Sequence, residues 1–169
     1  MAEGWQTEPK VGRPDIMPAY GVPTSMKGTL PWEWAVERLD QASVYWVSTT
    51  RPDGRPHAMP TWGAWVDGCF WMEGGEQTRR MRNLALNPNA VVHVEHGDDV
   101  VIVEGVGEKI VDLGPSLVER LLAGFHKYVA SHGYAASPEN WVDGIWVIRP
   151  RVAFAWGAFP RDATRWTFP

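Results

Sequence analysis

The chain holds one cysteine, Cys69, among 169 residues. That excludes an intrachain disulfide and a cysteine-built metal cluster, and it fits a reducing cytoplasm. No apolar run approaches the roughly 20 residues needed to span a bilayer. The N-terminal region is polar and punctuated by Pro and Gly, without the apolar segment of a secretory leader. Charge of one sign is also lacking. The formal net charge is -4, so nothing draws the whole chain to nucleic acid or to an anionic membrane. Any basic site must be local. Nucleophile elbows, H-E-x-x-H helices and P-loops are missing as well. His93 and His96 sit three apart on an expected strand, which points them to opposite faces and argues against a metal site.

What is present is a single-domain amount of apolar residues, 44% of the chain, and 11 tryptophans. Tryptophan offers large rigid area with one donor, useful in cores and around planar ligands alike. Residues 1–28 carry Pro9, Pro14, Pro18 and Pro23 and read as an extended arm. Residues 29–169 read as one domain. Thr29-Leu30-Pro31 opens a helix to about Ala42. Strand signals follow over 44–50, 57–66 and 69–73, joined by Pro52-Asp53-Gly54 and Asp67-Gly68 turns. Pro60 inside the second strand predicts an edge or a bulge. Strands are expected over 90–95 and 100–111, with Gly105-Val106-Gly107 marking a bulge. A helix is expected over Pro115–His132, and last strands over 145–148 and 152–156, broken at Arg149-Pro150-Arg151. Short strands at hairpin spacing predict an antiparallel barrel with appended helices.

The sharpest local feature is Thr78-Arg79-Arg80-Met81-Arg82-Asn83-Leu84. It reads as a helix start with Thr78 as N-cap and three arginines in or near the first turn. A helix N-terminus is already electropositive, so cations there invite an anion, and a phosphate would use the free N–H groups and the guanidinium forks together. Gly74-Gly75 just before it allows close approach. The strand Arg55–Trp62, interrupted at Pro60, can offer unpaired edge groups to a planar heterocycle. The two together describe a site for a phosphorylated planar cofactor. Cys69 reads as a small core residue.

With these motifs the sequence resembles the flavin-binding split-barrel family, which includes pyridoxamine phosphate oxidase and flavin- and deazaflavin-dependent relatives. The resemblance runs over about residues 30–156 and is densest over 44–104. It implies a mainly β fold, an antiparallel split barrel with flanking helices, and a homodimer with cofactor sites at its interface. It implies FMN as cofactor, with the deazaflavin coenzyme F-420 as the alternative, and hydride transfer to or from a small planar substrate. Met59, Pro60, Thr61 and Trp62 would lie against the ring, and Met72 and Glu73 beside the ring or ribityl chain. Thr78, Arg79 and Arg80 would grip the phosphate. Arg82 matches an arginine of the deazaflavin-binding relatives. Arg161, Arg165 and Trp166 fall where relatives place substrate-side or partner-subunit contacts. Two departures stand out: the grip lysine is Arg80 here, and a basic residue of the oxidases aligns with Ala64. A binding module without catalysis is the other reading, for a flavin or for haem, with His57 or His93 as axial ligand in the haem case.

Overall fold

The computed structural model describes residues 8–169; the first seven residues of the expected arm lie outside them. The elements run β1 (Lys10–Gly12), α1 (Trp32–Gln41), β2 (Tyr45–Thr50), β3 (Pro56–Thr61), β4 (Ala64–Val66), β5 (Cys69–Met72) and α2 (Arg79–Leu86). They continue with β6 (Asn89–Val94), β7 (Val100–Ile110), α3 (Pro115–Phe125), α4 (Lys127–His132), β8 (Ile145–Trp156) and β9 (Thr164–Thr167). The strands form one antiparallel sheet in the order β1-β9-β8-β7-β6-β2-β3, and the hairpin β4-β5 joins through β5 to β8. The sheet curls without closing, which is a split barrel.

Alternation sets its faces. Tyr45, Val47 and Thr49 of β2 point inward with Val92, Val94, Val101, Val103, Ala153 and Ala155, all buried. This core continues under α1 and α2 through Ala35, Leu39, Met81 and Leu84. A second core lies between the β4-β5 hairpin and α3, which buries Leu117, Leu121 and Phe125 at four-residue spacing. Cys69 is buried here, and burial pushes its thiol up to about 11.

Five expectations need correction. The expected strand over 57–66 is two, β3 and β4, which part at Trp62-Gly63 and pair with β2 and β5 respectively. The expected single helix to His132 is two. His126 N–H bonds to Ala123 O, a tighter turn than the α pattern, and α4 restarts after it at Lys127. Lys127 then donates to Asp40 O, Ala42 O and the Tyr45 hydroxyl, tying α4 to the end of α1. The expected break at Pro150 is not a break. β8 runs through it, because β7 accommodates the proline with a register shift that leaves Arg151 unopposed. Gly105 makes this possible: a Cβ there would sit 2.3 Å from Arg149 O. The tail supplies a strand, β9, which the sequence pattern did not show. The arm, expected to hold no element, contributes β1, which pairs with β9. The Arg13 guanidinium fixes it by donating to the carbonyls of Ser25, Lys27, Arg161 and Ala163. Pro60, by contrast, lies on the edge strand β3, as its chemistry requires.

Candidate functional site

The site forms where the edge strand β3 meets the start of α2. In the β2-β3 register, His57 faces Thr49, Met59 faces Val47 and Thr61 faces Tyr45. The β2 partners are all buried, so His57, Met59 and Thr61 share the inner face of β3. β3 is the last strand of the sheet path, so its outer backbone edge carries no ladder partner from the described chain. Met59 is 49% and Trp62 37% exposed, unusually open for such large apolar side chains.

α2 starts as the sequence requires. Thr78 has extended backbone, and its Oγ1 accepts the Met81 N–H, an N-cap contact of 3.4 Å. Met81, Asn83 and Leu84 face inward. Asn83 Nδ2 donates to Thr49 Oγ1 at 2.9 Å, which locks α2 onto β2. Arg79 and Arg82 are exposed, whereas Arg80 is half-buried and its Nη2 donates to Thr61 Oγ1 at 3.1 Å across the groove.

Two arginines and a histidine gather here with unmet polar atoms. The Arg51 Nε, the Arg80 Nε and the His57 Nδ1 are buried without a hydrogen-bond partner. Burial, followed by Arg51, Arg80 and Arg79, lowers the His57 pKa. Burial likewise lowers that of Arg80. The nearby Asp53 carboxylate is held mainly by Arg55, at 2.8 Å within the turn, with Arg51 as a weaker, more distant charge partner. Desolvated cations without a partner are costly. Such an arrangement has the charge and the free polar atoms to accept an anion. Arg51 and His57 were outside the sequence-derived grip. Arg51 follows β2, 28 positions before Arg79, and the packing of α2 on β2 through Asn83 and Thr49 brings it to the start of α2.

Beside this cluster lies a cleft of about 480 Å³ lined by Val44, Pro60, Thr61, Trp62 and Glu73. Its wall is aromatic. Trp62 stacks on Tyr128 at 5.1 Å and packs near His132 and Tyr134. The Tyr128 hydroxyl fixes the turn after β3, accepting from Gly63 N–H and donating to Gly63 O, each at 2.9 Å. Burial pushes its pKa up to about 12, so it stays a donor. Glu73 follows β5. Its carboxylate accepts from Trp141 Nε1 at 2.6 Å and from the Tyr134 hydroxyl at 2.5 Å. A second cleft of about 700 Å³ lies on the other side of Glu73, lined also by Gly74, Gly75, Lys109 and Asp143.

Of the residues expected around a cofactor, Pro60, Thr61, Trp62 and Glu73 line the cleft, Met59 shares the β3 face with Thr61, and Arg80, beside Thr78 and Arg79 at the start of α2, reaches Thr61. Met72 does not reach the cleft. It is fully buried, because β5 lies inside the barrel and pairs with β8. Trp166 is 1% exposed and packs on Trp32, so within one chain it is a core residue. Arg161 and Arg165 lie on and before β9, separated from β3 along the sheet path by β8, β7, β6 and β2. His93 stacks on Trp46 on the outer sheet face, away from His57. Among the described residues no group of three His, Cys, Asp or Glu could hold a metal ion, and no helix is long and apolar enough to cross a membrane.

A family model described as pyridoxamine 5'-phosphate oxidase matches residues 32–157. The chain belongs to this family. No curated protein matches it. Solved structures of the same fold include a haem-binding protein from Mycobacterium smegmatis, at 22% identity and TM-score 0.59. That match covers 78% of this chain and 56% of the other, so the chain spans little more than half of that protein's length. An F-420 reductase matches at 22% identity and TM-score 0.52, over 69% of this chain and 93% of the other. An FAD-binding protein from Mesorhizobium loti matches at 19% and TM-score 0.54, over 82% and 96%. At these identities the likeness speaks to the fold. Proteins of this fold thus include a haem-binding protein, an F-420 reductase and an FAD-binding protein.

Proposed function

We propose that the chain is an oxidoreductase of this family that binds FMN in the groove between β3 and α2. The observation that carries the reading is the unmet buried nitrogens of Arg51, His57 and Arg80, gathered at the start of a helix whose first residue is Arg79. A terminal phosphate fits that donor set in charge and in hydrogen-bond chemistry. Arg51, Arg79 and Arg80 would hold the phosphate, with Thr78 at the cap. Met59, Pro60, Thr61 and Trp62 would border the ring. Bound FMN would supply the hydride chemistry. The chain's own part is to orient the ring, to exclude water with the Trp62 wall, and to place donors near developing negative charge.

A deazaflavin such as F-420 is the competing ligand. The cleft beyond Gly74-Gly75 bears Glu73, Glu76 and Asp143, and its Lys109 is already paired with Glu76 at 2.5 Å. Further anionic groups beyond the phosphate would meet that charge, which favours FMN. Haem is the third ligand, and the unpartnered His57 Nδ1 is the nitrogen it would take.

A homodimer completes the reading. Trp46, His93, Ile102, Phe154 and Arg165 form one cross-strand row on the outer sheet face. All are partly exposed. Such an apolar face suits a second copy, and Arg165 at its end would then serve the partner's site. The test is mass spectrometry of the ligand that co-purifies from the native host, together with FMN titration of Arg79→Ala/Arg80→Ala. FMN in the purified protein and a loss of roughly a hundredfold in affinity are expected, from two charge-assisted contacts. Unchanged affinity would remove the phosphate assignment.

A further inference from the structure

Tyr134 touches the walls of both clefts. Its ring packs on Trp62 at 5.6 Å between centroids, and Trp62 lines the smaller cleft. Its hydroxyl accepts from Asn140 Nδ2 at 2.7 Å, and Asn140 lines the larger cleft. The same hydroxyl donates to Glu73 Oε2 at 2.5 Å, and Glu73 lines both. The contact between Tyr134 and Glu73 is therefore a partition between the two spaces. Burial, and then Glu73 itself, push the Tyr134 pKa up to about 12, so the hydroxyl keeps the proton it donates.

The segment behind this contact is held at its ends and loose between them. At one end α4 closes on Gly133, at φ 64°, and the Gly133 and Tyr134 N–H groups bond to the Val129 and Tyr128 carbonyls. At the other end Trp141 is buried against Phe125, and its Nε1 donates to Glu73 Oε1 at 2.6 Å. Residues 135–140 between these ends belong to no strand, and Ala135, Pro138, Glu139 and Asn140 are exposed. The half-buried Ala136 adds only a small apolar contact. One carboxylate thus serves both ends: Oε1 holds the buried Trp141, and Oε2 holds the hydroxyl to which Asn140 is tied. Few buried apolar contacts and a single polar tie are the marks of a segment that opens locally while the core stays closed.

We infer that Tyr134 is a gate residue: with its hydroxyl on Glu73 the clefts are separate, and with it released the strap of residues 135–140 lifts and joins them, admitting ligand to the smaller cleft. The inference goes beyond the cofactor reading and rests on it only for the identity of the ligand that passes.

Hydrogen exchange of the full chain, read by mass spectrometry on peptides covering 135–140, tests the strap without any ligand. Tyr134→Phe keeps the ring and removes both ties. It is expected to speed exchange there at least about tenfold while α3 and β8 stay as in the unsubstituted chain. Asn140→Ala, which leaves the Glu73 contact in place, should give a smaller rise. Unchanged exchange in Tyr134→Phe would overturn the inference, and so would a rise shared equally by α3 and β8. Stopped-flow binding of FMN then separates a gate from a wall. In Tyr134→Phe the association and dissociation rates should rise together, with Kd kept within about twofold. Unchanged rates on a chain that binds FMN, or a weaker Kd without faster association, would overturn the gate. Absence of FMN binding beside the local change in exchange would remove the cofactor reading and leave the strap standing.

Discussion

Arg51 carries the most unexpected residue-level consequence. Its Nε is buried without an acceptor, and its charged surroundings are Arg79, Arg80 and His57 on one side and the exposed Asp53, already paired with Arg55, on the other. Removing the charge should therefore relieve the empty protein and harm the loaded one. Arg51→Met is expected to raise the melting temperature of ligand-free protein while weakening FMN by about tenfold, the scale of one buried charge-assisted contact. A melting temperature that falls in the absence of ligand would show that Arg51 has a structural partner instead. His57 makes the matching pH argument. Its folded pKa lies below the ordinary 6.5. Below that value the unfolded chain takes up a proton that the folded chain resists, so stability falls as pH drops through it. Thermal melts from about pH 7.5 to about 5.5 should show this slope. His57→Asn should flatten it, and bound FMN should reduce it by supplying the missing negative charge.

At the scale of elements, two glycine-centred contacts position the site. A Cβ on Gly63 would come within 2.4 Å of the Phe70 ring and 2.6 Å of Trp71 O. Gly63→Ala should thus displace Trp62 and weaken FMN as well as fold stability, with about 1–3 kcal/mol expected for such overpacking. Tyr128→Phe tests the same turn from the other side. It strands the buried N–H and C=O of Gly63, at a cost of about 1–3 kcal/mol by denaturant titration. Neither contact was legible in the sequence: Tyr128 lies 65 positions from Gly63, and the approach of Gly63 to Phe70 and Trp71 depends on how the β4-β5 hairpin folds back. The local signals were legible: the Thr78 cap, the arginines behind it, the edge position of Pro60, the bulge at Gly105. Pro150 misled because proline punctuates a strand only where a partner cannot shift, and Gly105 lets β7 shift. The break at His126 was hidden by an apolar periodicity that runs on into α4. Met72 was misplaced for a related reason: adjacent strand residues alternate faces, and only the β5-β8 pairing decides which of Met72 and Glu73 meets the cleft.

For the whole molecule, the outer row from Trp46 to Arg165 should be covered in solution. Sedimentation is expected to give a dimer, and Trp46→Asp with Phe154→Asp is expected to give a monomer that still binds the empty groove's anion more weakly. A monomeric unsubstituted chain would remove the partner's Arg165 from the account. The central claim is narrower than catalysis: the groove between β3 and α2 is built for the terminal phosphate of a flavin. Parallel titration with FMN and riboflavin, which differ only in that phosphate, tests it most directly. The account predicts FMN binding about a hundredfold tighter than riboflavin, with the gap closing in Arg79→Ala/Arg80→Ala. Equal affinity for the two would contradict it.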